Sequence, residues 1–155
     1  MKIILFGSTG MLGRYVKKKL EEKYQVICIN RNIFNIKTDS WYLLEKIISE
    51  HLQKNDIIIN CSGVIPQTTP LSNYNTYIRV NTLFPHKLQE ISYNYNYKFI
   101  HITTDCVFLG SKGKYSEVST HDAIDIYGVS KSLGEPDNSC VIRTSIFGEE
   151  QKNKK

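Results

Sequence analysis

Residues 1–13 read MKIILFGSTGMLG. The apolar run Ile3-Ile4-Leu5-Phe6 is followed at once by Gly7, Gly10 and Gly13. Beyond Gly13, Tyr15, Val16 and Leu20 recur on one face of a lysine-rich stretch, which is helical spacing. The order is that of a buried strand, a tight glycine turn and a helix. Gly7 suits the positive φ of the turn, Gly10 lets a ligand come close to backbone, and Gly13 lets the helix pack near the strand. The N–H groups that open a helix lack intrahelical partners and carry partial positive charge, so this corner presents an anion site.

Working outward, strand-like and helix-like segments alternate along all 155 residues. Strands are expected at 25–29 (QVICI), 56–60 (DIIIN), 98–103 (KFIHIT) and 139–144 (SCVIRT). Helices are expected at 40–52, capped by Asp39 or Ser40, at 75–93, kinked by Pro85, and at 126–135. Residues 105–125 form a long irregular segment, the kind that often carries function. This alternation predicts an α/β fold, a Rossmann-like doubly wound parallel sheet flanked by helices. One domain, 1–148, is expected, followed by a basic tail, 149–155, expected to be disordered.

Composition narrows the class. No run approaches the ~18 apolar residues a membrane helix needs, and the apolar stretch near the N-terminus is too short for a secretory leader. Cys28, Cys61, Cys106 and Cys140 are far apart and form no CxxC pair. They read as reduced thiols of a cytoplasmic protein, with no metal site expected. The net charge is +5, but the lysines are scattered and form no basic stripe interleaved with aromatics. Neither nucleic acid nor membrane is expected as a partner.

The chemistry lies between His101 and Glu135. Tyr127 and Lys131 are spaced i, i+4 on one predicted helix face. An ammonium beside a phenol favours the phenolate, and a tyrosine tuned in this way can pass its proton to a substrate oxygen. Thr104 ends the preceding strand, where its hydroxyl can orient the same oxygen. The end of the second strand bears on the cofactor. A carboxylate there holds the ribose 2′-OH of NAD; here Asn30 and Arg31 stand instead, and a guanidinium suits a 2′-phosphate. NADPH is expected, with NADH as the alternative.

The glycine spacing GxxGxxG leans towards short-chain dehydrogenases. The words GSTGMLGR, DIIINCSG, VNTLFPHKL, HITTDCVF, KGKYSE, DIYGVSKSLGE and VIRTSIFG follow one another through nearly the whole chain. In that order they resemble the dTDP-4-dehydrorhamnose reductase family, extended short-chain dehydrogenases that act on nucleotide sugars. The resemblance implies Thr104, Tyr127 and Lys131 as the catalytic triad. It implies a cofactor site of Gly7, Thr9, Gly10, Met11, Leu12, Gly13, Asn30, Arg31, Cys61, Ser62 and Gly63, shared with Tyr127 and Lys131. Substrate contacts are implied for Thr104, Asp105 and Cys106, and Asn81 resembles the helix asparagine that supports the active-site backbone.

Two departures shape the expectation. Dehydratases of this superfamily place Asp-Glu after the threonine; here Asp105 is followed by Cys106, which favours a reductase. Cys106 itself reads as a small packed residue. The resemblance also implies a chain truncated before the C-terminal substrate-binding part. The implied activity is NADPH-dependent reduction of the 4-keto group of a nucleotide-activated deoxysugar, a step of dTDP-rhamnose biosynthesis. The implied partners are that substrate and either a second copy or a chain supplying the missing half. The alternative is a non-catalytic nucleotide-binding module, a remnant or regulatory subunit related to the family.

Overall fold

A computed structural model describes residues 1–146. The expected domain end at 148 and the basic tail 149–155 lie outside the described residues. Five parallel strands, β1 (Lys2–Phe6), β2 (Gln25–Ile29), β3 (Ile57–Asn60), β4 (Lys98–Thr104) and β5 (Cys140–Thr144), form one sheet. Their order is β2-β1-β3-β4-β5. The chain therefore winds from β1 to β2, then reverses and adds β3, β4 and β5 on the other side. That reversal opens a crevice at the carboxyl ends of β1 and β3, where open α/β sheets bind ligands.

The pleat of β1 divides the core into two layers. Ile4 and Phe6 face one side with Leu44, Ile47 and Ile48 of α2 (Trp41–His51), and with Phe84, Leu88 and Ile91 of α4 (Phe84–Tyr95). Ile3 and Leu5 face the other side, against Val16 and Leu20 of α1 (Met11–Leu20). Both faces are thus covered, which is why β1 reads as an unbroken apolar run rather than an alternation. Ser40 caps α2 by accepting the Leu43 N–H at 3.2 Å, so Ser40 and not Asp39 is the cap.

The helix expected at 75–93 is interrupted. It comprises a short α3 (Tyr74–Tyr77), a π-helical segment (Ile78–Leu83) and α4. Pro85 explains the wider turn. In an α-helix its N–H would bond the Asn81 carbonyl, and proline has no N–H to give. The Phe84 N–H instead reaches the Arg79 carbonyl, one residue further back. The freed Asn81 carbonyl packs against Gly134, where an added Cβ would sit 1.8 Å from that oxygen. The turn at Gly134 also ends α5 (Ile126–Ser132) three residues earlier than the expected 135.

Candidate active site

The glycine turn sets the floor of the cleft. Gly7 has φ +77°, and an added Cβ would meet the Cys61 carbonyl carbon and the Ser62 nitrogen at 2.6 Å. Only glycine fits there, because the turns after β1 and β3 touch at that point. Around this floor one cleft is lined by Gly7, Thr9, Gly10, Asn30, Arg31, Cys61, Ser62 and Gly63, all expected from sequence. Met11, Leu12 and Gly13 form the first turn of α1 behind Gly10. Gly13 is buried, with a Cβ position 2.0 Å from the Gly7 carbonyl oxygen, so close helix–strand packing requires glycine there, as its place in the sequence suggested.

Sequence reasoning missed part of this wall. Asn35, Ile36, Lys37, Val64 and Val80 line the same cleft. Residues 35–37 lie in an irregular segment with no periodicity to betray which way they face. Asn30 is exposed, and its side-chain oxygen accepts the Asn32 and Ile33 N–H groups, so it shapes the turn after β2. Arg31 is exposed on the cleft wall.

The turn after β3 is fastened from behind. Asn81, fully buried on the π-helical segment, accepts the Val64 N–H at 2.9 Å and donates to the Val64 carbonyl at 3.0 Å. It also donates to the Ser130 hydroxyl of α5 at 3.1 Å. The asparagine therefore supports the cleft backbone as the resemblance implied. From the sheet side, Asn60 accepts the Ser62 N–H at 3.0 Å and donates to His101 Nδ1 at 3.2 Å. His101 is fully buried and held neutral, its pKa pushed down to about 3 by burial and by nearby Lys131. Neither Asn60 nor His101 carried a sequence signal, since both sit inside apolar strand runs.

Lys131 lies beneath this turn. It is 5% exposed, and a Cβ on Gly63 would come within 2.5 Å of its Nζ. Its ammonium forms no ion pair or hydrogen bond among the described residues. Burial pushes its pKa down to about 8, opposed by Cys61 and Glu135. Burial also lifts the Cys61 thiol to about 11, so that neighbour is a neutral thiol.

Tyr127 stands one turn before Lys131, packed against the apolar group of Val64, Tyr77 and Val80. Its pKa lies above the ordinary phenol value, first because of burial, with the nearby Thr104 hydroxyl opposing that shift and Cys106, Asp105 and Asp125 adding to it. The expectation that Lys131 lowers this phenol is not met. The ammonium is directed to Gly63 and Cys61, and the charges beside the phenol are carboxylates. Thr104 is buried at the end of β4; its hydroxyl accepts the Cys106 N–H at 3.2 Å and donates to Asp105 at 3.3 Å.

Asp105 and Cys106 open a short 3₁₀ turn (Asp105–Val107) and are both exposed. Cys106 is a correction: it is not packed, because the 3₁₀ turn sends Val107 inward in its place. Asp105 is joined by the Ser145 hydroxyl beyond β5. The four cysteines are free thiols, and among the described residues there is no cluster suited to a metal ion. No helix among them is long and apolar enough to cross a membrane.

The chain and its fold resemble those of known proteins. The family model of the RmlD substrate binding domain matches residues 1–154. A dTDP-4-dehydrorhamnose reductase of Aggregatibacter actinomycetemcomitans is 28% identical over 162 residues, covering 98% of this chain and 54% of the relative. The crystal structure of a dTDP-4-dehydrorhamnose reductase from Clostridium acetobutylicum superposes with a TM-score of 0.75 at 27% identity, over 86% of this chain and 47% of that one. The same enzyme of Bacillus anthracis, solved in complex with NADP, gives a TM-score of 0.75 at 24% identity, over 86% and 47%. The chain thus spans about half the length of the relatives it matches.

Proposed function

The chain belongs to the RmlD substrate binding domain family, and from that premise we propose that it holds the cofactor and the proton-transfer groups of an NADPH-dependent reductase of nucleotide-activated 4-keto deoxysugars. The observation that carries this reading is that Thr104 at the carboxyl end of β4 lies near enough to the Tyr127 phenol to act on it, while Lys131, one helical turn further on, holds its ammonium under Gly63. The donor set fits a dinucleotide. The open N-terminus of α1 suits a pyrophosphate, Arg31 suits a 2′-phosphate, and the buried Lys131 ammonium suits a ribose diol. When bound, NADPH supplies the hydride.

The rest belongs to this chain's own residues. Lys131 orients the ribose beside the nicotinamide. The Thr104 hydroxyl turns from Asp105 to donate to the keto oxygen, and Tyr127 gives its proton to the alkoxide that forms there. A phenol with a raised pKa is protonated throughout the neutral range, which is the state a general acid requires. The alternative of a nucleotide-binding module without turnover differs in one outcome: cofactor binds, but a 4-keto-deoxysugar nucleotide leaves NADPH unoxidised even when the rest of a reductase is supplied.

Two measurements test the cofactor and partner assignments. NADPH is expected to bind more tightly than NADH in a fluorescence titration, and Arg31→Ala to weaken NADPH by about 1–2 kcal/mol, since the guanidinium is exposed. Equal affinities, unmoved by the substitution, would sink the preference for NADPH. Among the described residues the β5 edge is paired with β4 alone and leaves Ile142 43% exposed. Sedimentation is expected to detect self-association of the 155-residue chain, relieved in Ile142→Lys; a monodisperse monomer at all concentrations would contradict it.

A further inference from the structure

Segment 30–39 joins β2 to α2 and carries Arg31, Asn35, Ile36 and Lys37 on the cleft wall. Its local hydrogen bonds build two turns. The Asn30 carbonyl accepts the Ile33 and Phe34 N–H groups, and the Asn35 carbonyl accepts those of Thr38 and Asp39. Asp39 in turn accepts the Asn35 N–H at 2.8 Å. Such bonds give the segment its shape but do not fix its place over the sheet. Phe34 gives one anchor, buried against Phe84 and Trp41.

The other anchor comes from the π-helical segment. Arg79 donates from Nε to the Ile36 carbonyl at 2.6 Å and from a terminal nitrogen to the Asp39 carbonyl at 2.5 Å. Its guanidinium carbon lies 4.2 Å from the centre of the Trp41 ring. Two carbonyls and one aromatic face are thus met by one rigid plane, a geometry that lysine's point charge cannot reproduce. Both acceptors are neutral, so the clasp positions residues 36–39 without cancelling the charge. The next two residues act on the same wall, for Val80 lines the cleft and Asn81 holds Val64.

We infer that Arg79 is a positioning residue of the cleft: it clasps segment 30–39 so that Lys37 stands with Arg31 as a second cation for a phosphate on the ribose of the bound dinucleotide. This rests on the reading of the cleft as a dinucleotide site. A flexible lysine on an unanchored loop loses entropy on binding, whereas a fixed wall has met that cost in folding.

The test titrates NADPH and NADH against the wild type, Arg79→Ala, Arg79→Lys, Lys37→Ala and the Arg79→Ala/Lys37→Ala double variant. Arg79→Ala is expected to weaken NADPH about tenfold and NADH no more than about threefold. Lys37→Ala should add no more than about twofold on top of Arg79→Ala, because a loosened wall no longer presents the lysine. Arg79→Lys, which keeps the charge but not the fork, should also lower the preference for NADPH, and it carries the test if Arg79→Ala does not fold. Amide exchange without cofactor should speed up at residues 36–40 while β1 stays protected. Unchanged affinity, an equal loss for both cofactors, or additive losses in the double variant would overturn the inference. A wild type that binds neither cofactor would overturn the dinucleotide reading and this inference together; binding that ignores Arg79 overturns this inference alone.

Discussion

Tyr127→Phe is expected to lower keto-sugar reduction by about 10²–10⁴-fold, the range a positioned general acid supplies. The measurement is NADPH oxidation with a 4-keto-deoxysugar nucleotide, on the chain fused to the second half of a reductase relative. Positioning of the keto carbon can supply ~7–11 kcal/mol of the barrier. Because Tyr127 packs its ring against Val64 and Val80, phenylalanine keeps the packing and removes only the hydroxyl. NADPH affinity should stay within about twofold, as expected when a group acts mainly in the transition state. The phenol's raised pKa gives a second signature: reduction should not fall on account of this group until the pH exceeds the ordinary phenol value. A fused Tyr127→Phe variant with near wild-type turnover would remove Tyr127 from the chemistry.

What could be read from the sequence follows where the physics is local. Ile3 to Phe6 with three glycines behind them specify strand, turn and helix within thirteen residues, and the structure forms them there. Tyr127 and Lys131 are four apart on a helix, so their shared location needed no tertiary information. Thr104 ended a strand by composition, and parallel pairing of β3 with β4 carried it to the same rim as Ser62.

The rest depends on contacts between distant segments. Lys37 faces the cleft because Arg79, 42 positions later by their numbers, fastens the carbonyls beside it. Asn81 reaches Val64 because Pro85 opens a π turn, an effect that periodicity reads only as a kink. Charge was the least legible quantity. The spacing of Tyr127 and Lys131 suggested that one tunes the other, yet burial dominates both groups, and the ammonium is turned towards Gly63. His101 adds a neutral imidazole under the same turn, in a strand where an apolar residue would have been expected.

Lys131→Met is expected to make the protein more stable and bind its cofactor less well. In the folded chain this lysine is 5% exposed, its ammonium has no hydrogen bond among the described residues, and its pKa falls from 10.5 to about 8. A group whose basic form is favoured by folding destabilises the native state while it remains charged. Below pH 8 the cost is complete, up to ~3 kcal/mol at about 1.4 kcal/mol per pKa unit. Between about pH 8 and 10.5 the unfolded chain binds more protons than the folded one, so the cost fades as pH rises. Methionine keeps the length and apolar stem and carries no charge. Urea unfolding at pH 7 should therefore find Lys131→Met more stable by about 1–3 kcal/mol, and the advantage should shrink by pH 10. Loss of the Lys131 charge also lets the Cys61 thiol pKa rise further, so the comparison is read at and below pH 8, where that thiol stays protonated in both proteins, and the trend towards pH 10 is read against a Cys61→Ser background. NADPH affinity should drop about tenfold or more, as expected for lost charge-assisted bonds to a ribose. A variant no more stable at pH 7, or an advantage unchanged at pH 10, would mean that the ammonium is solvated and not held in reserve. If both halves hold, the free energy stored in the buried cation is what ligand binding releases, so natural variation at Lys131 should trade stability against cofactor affinity.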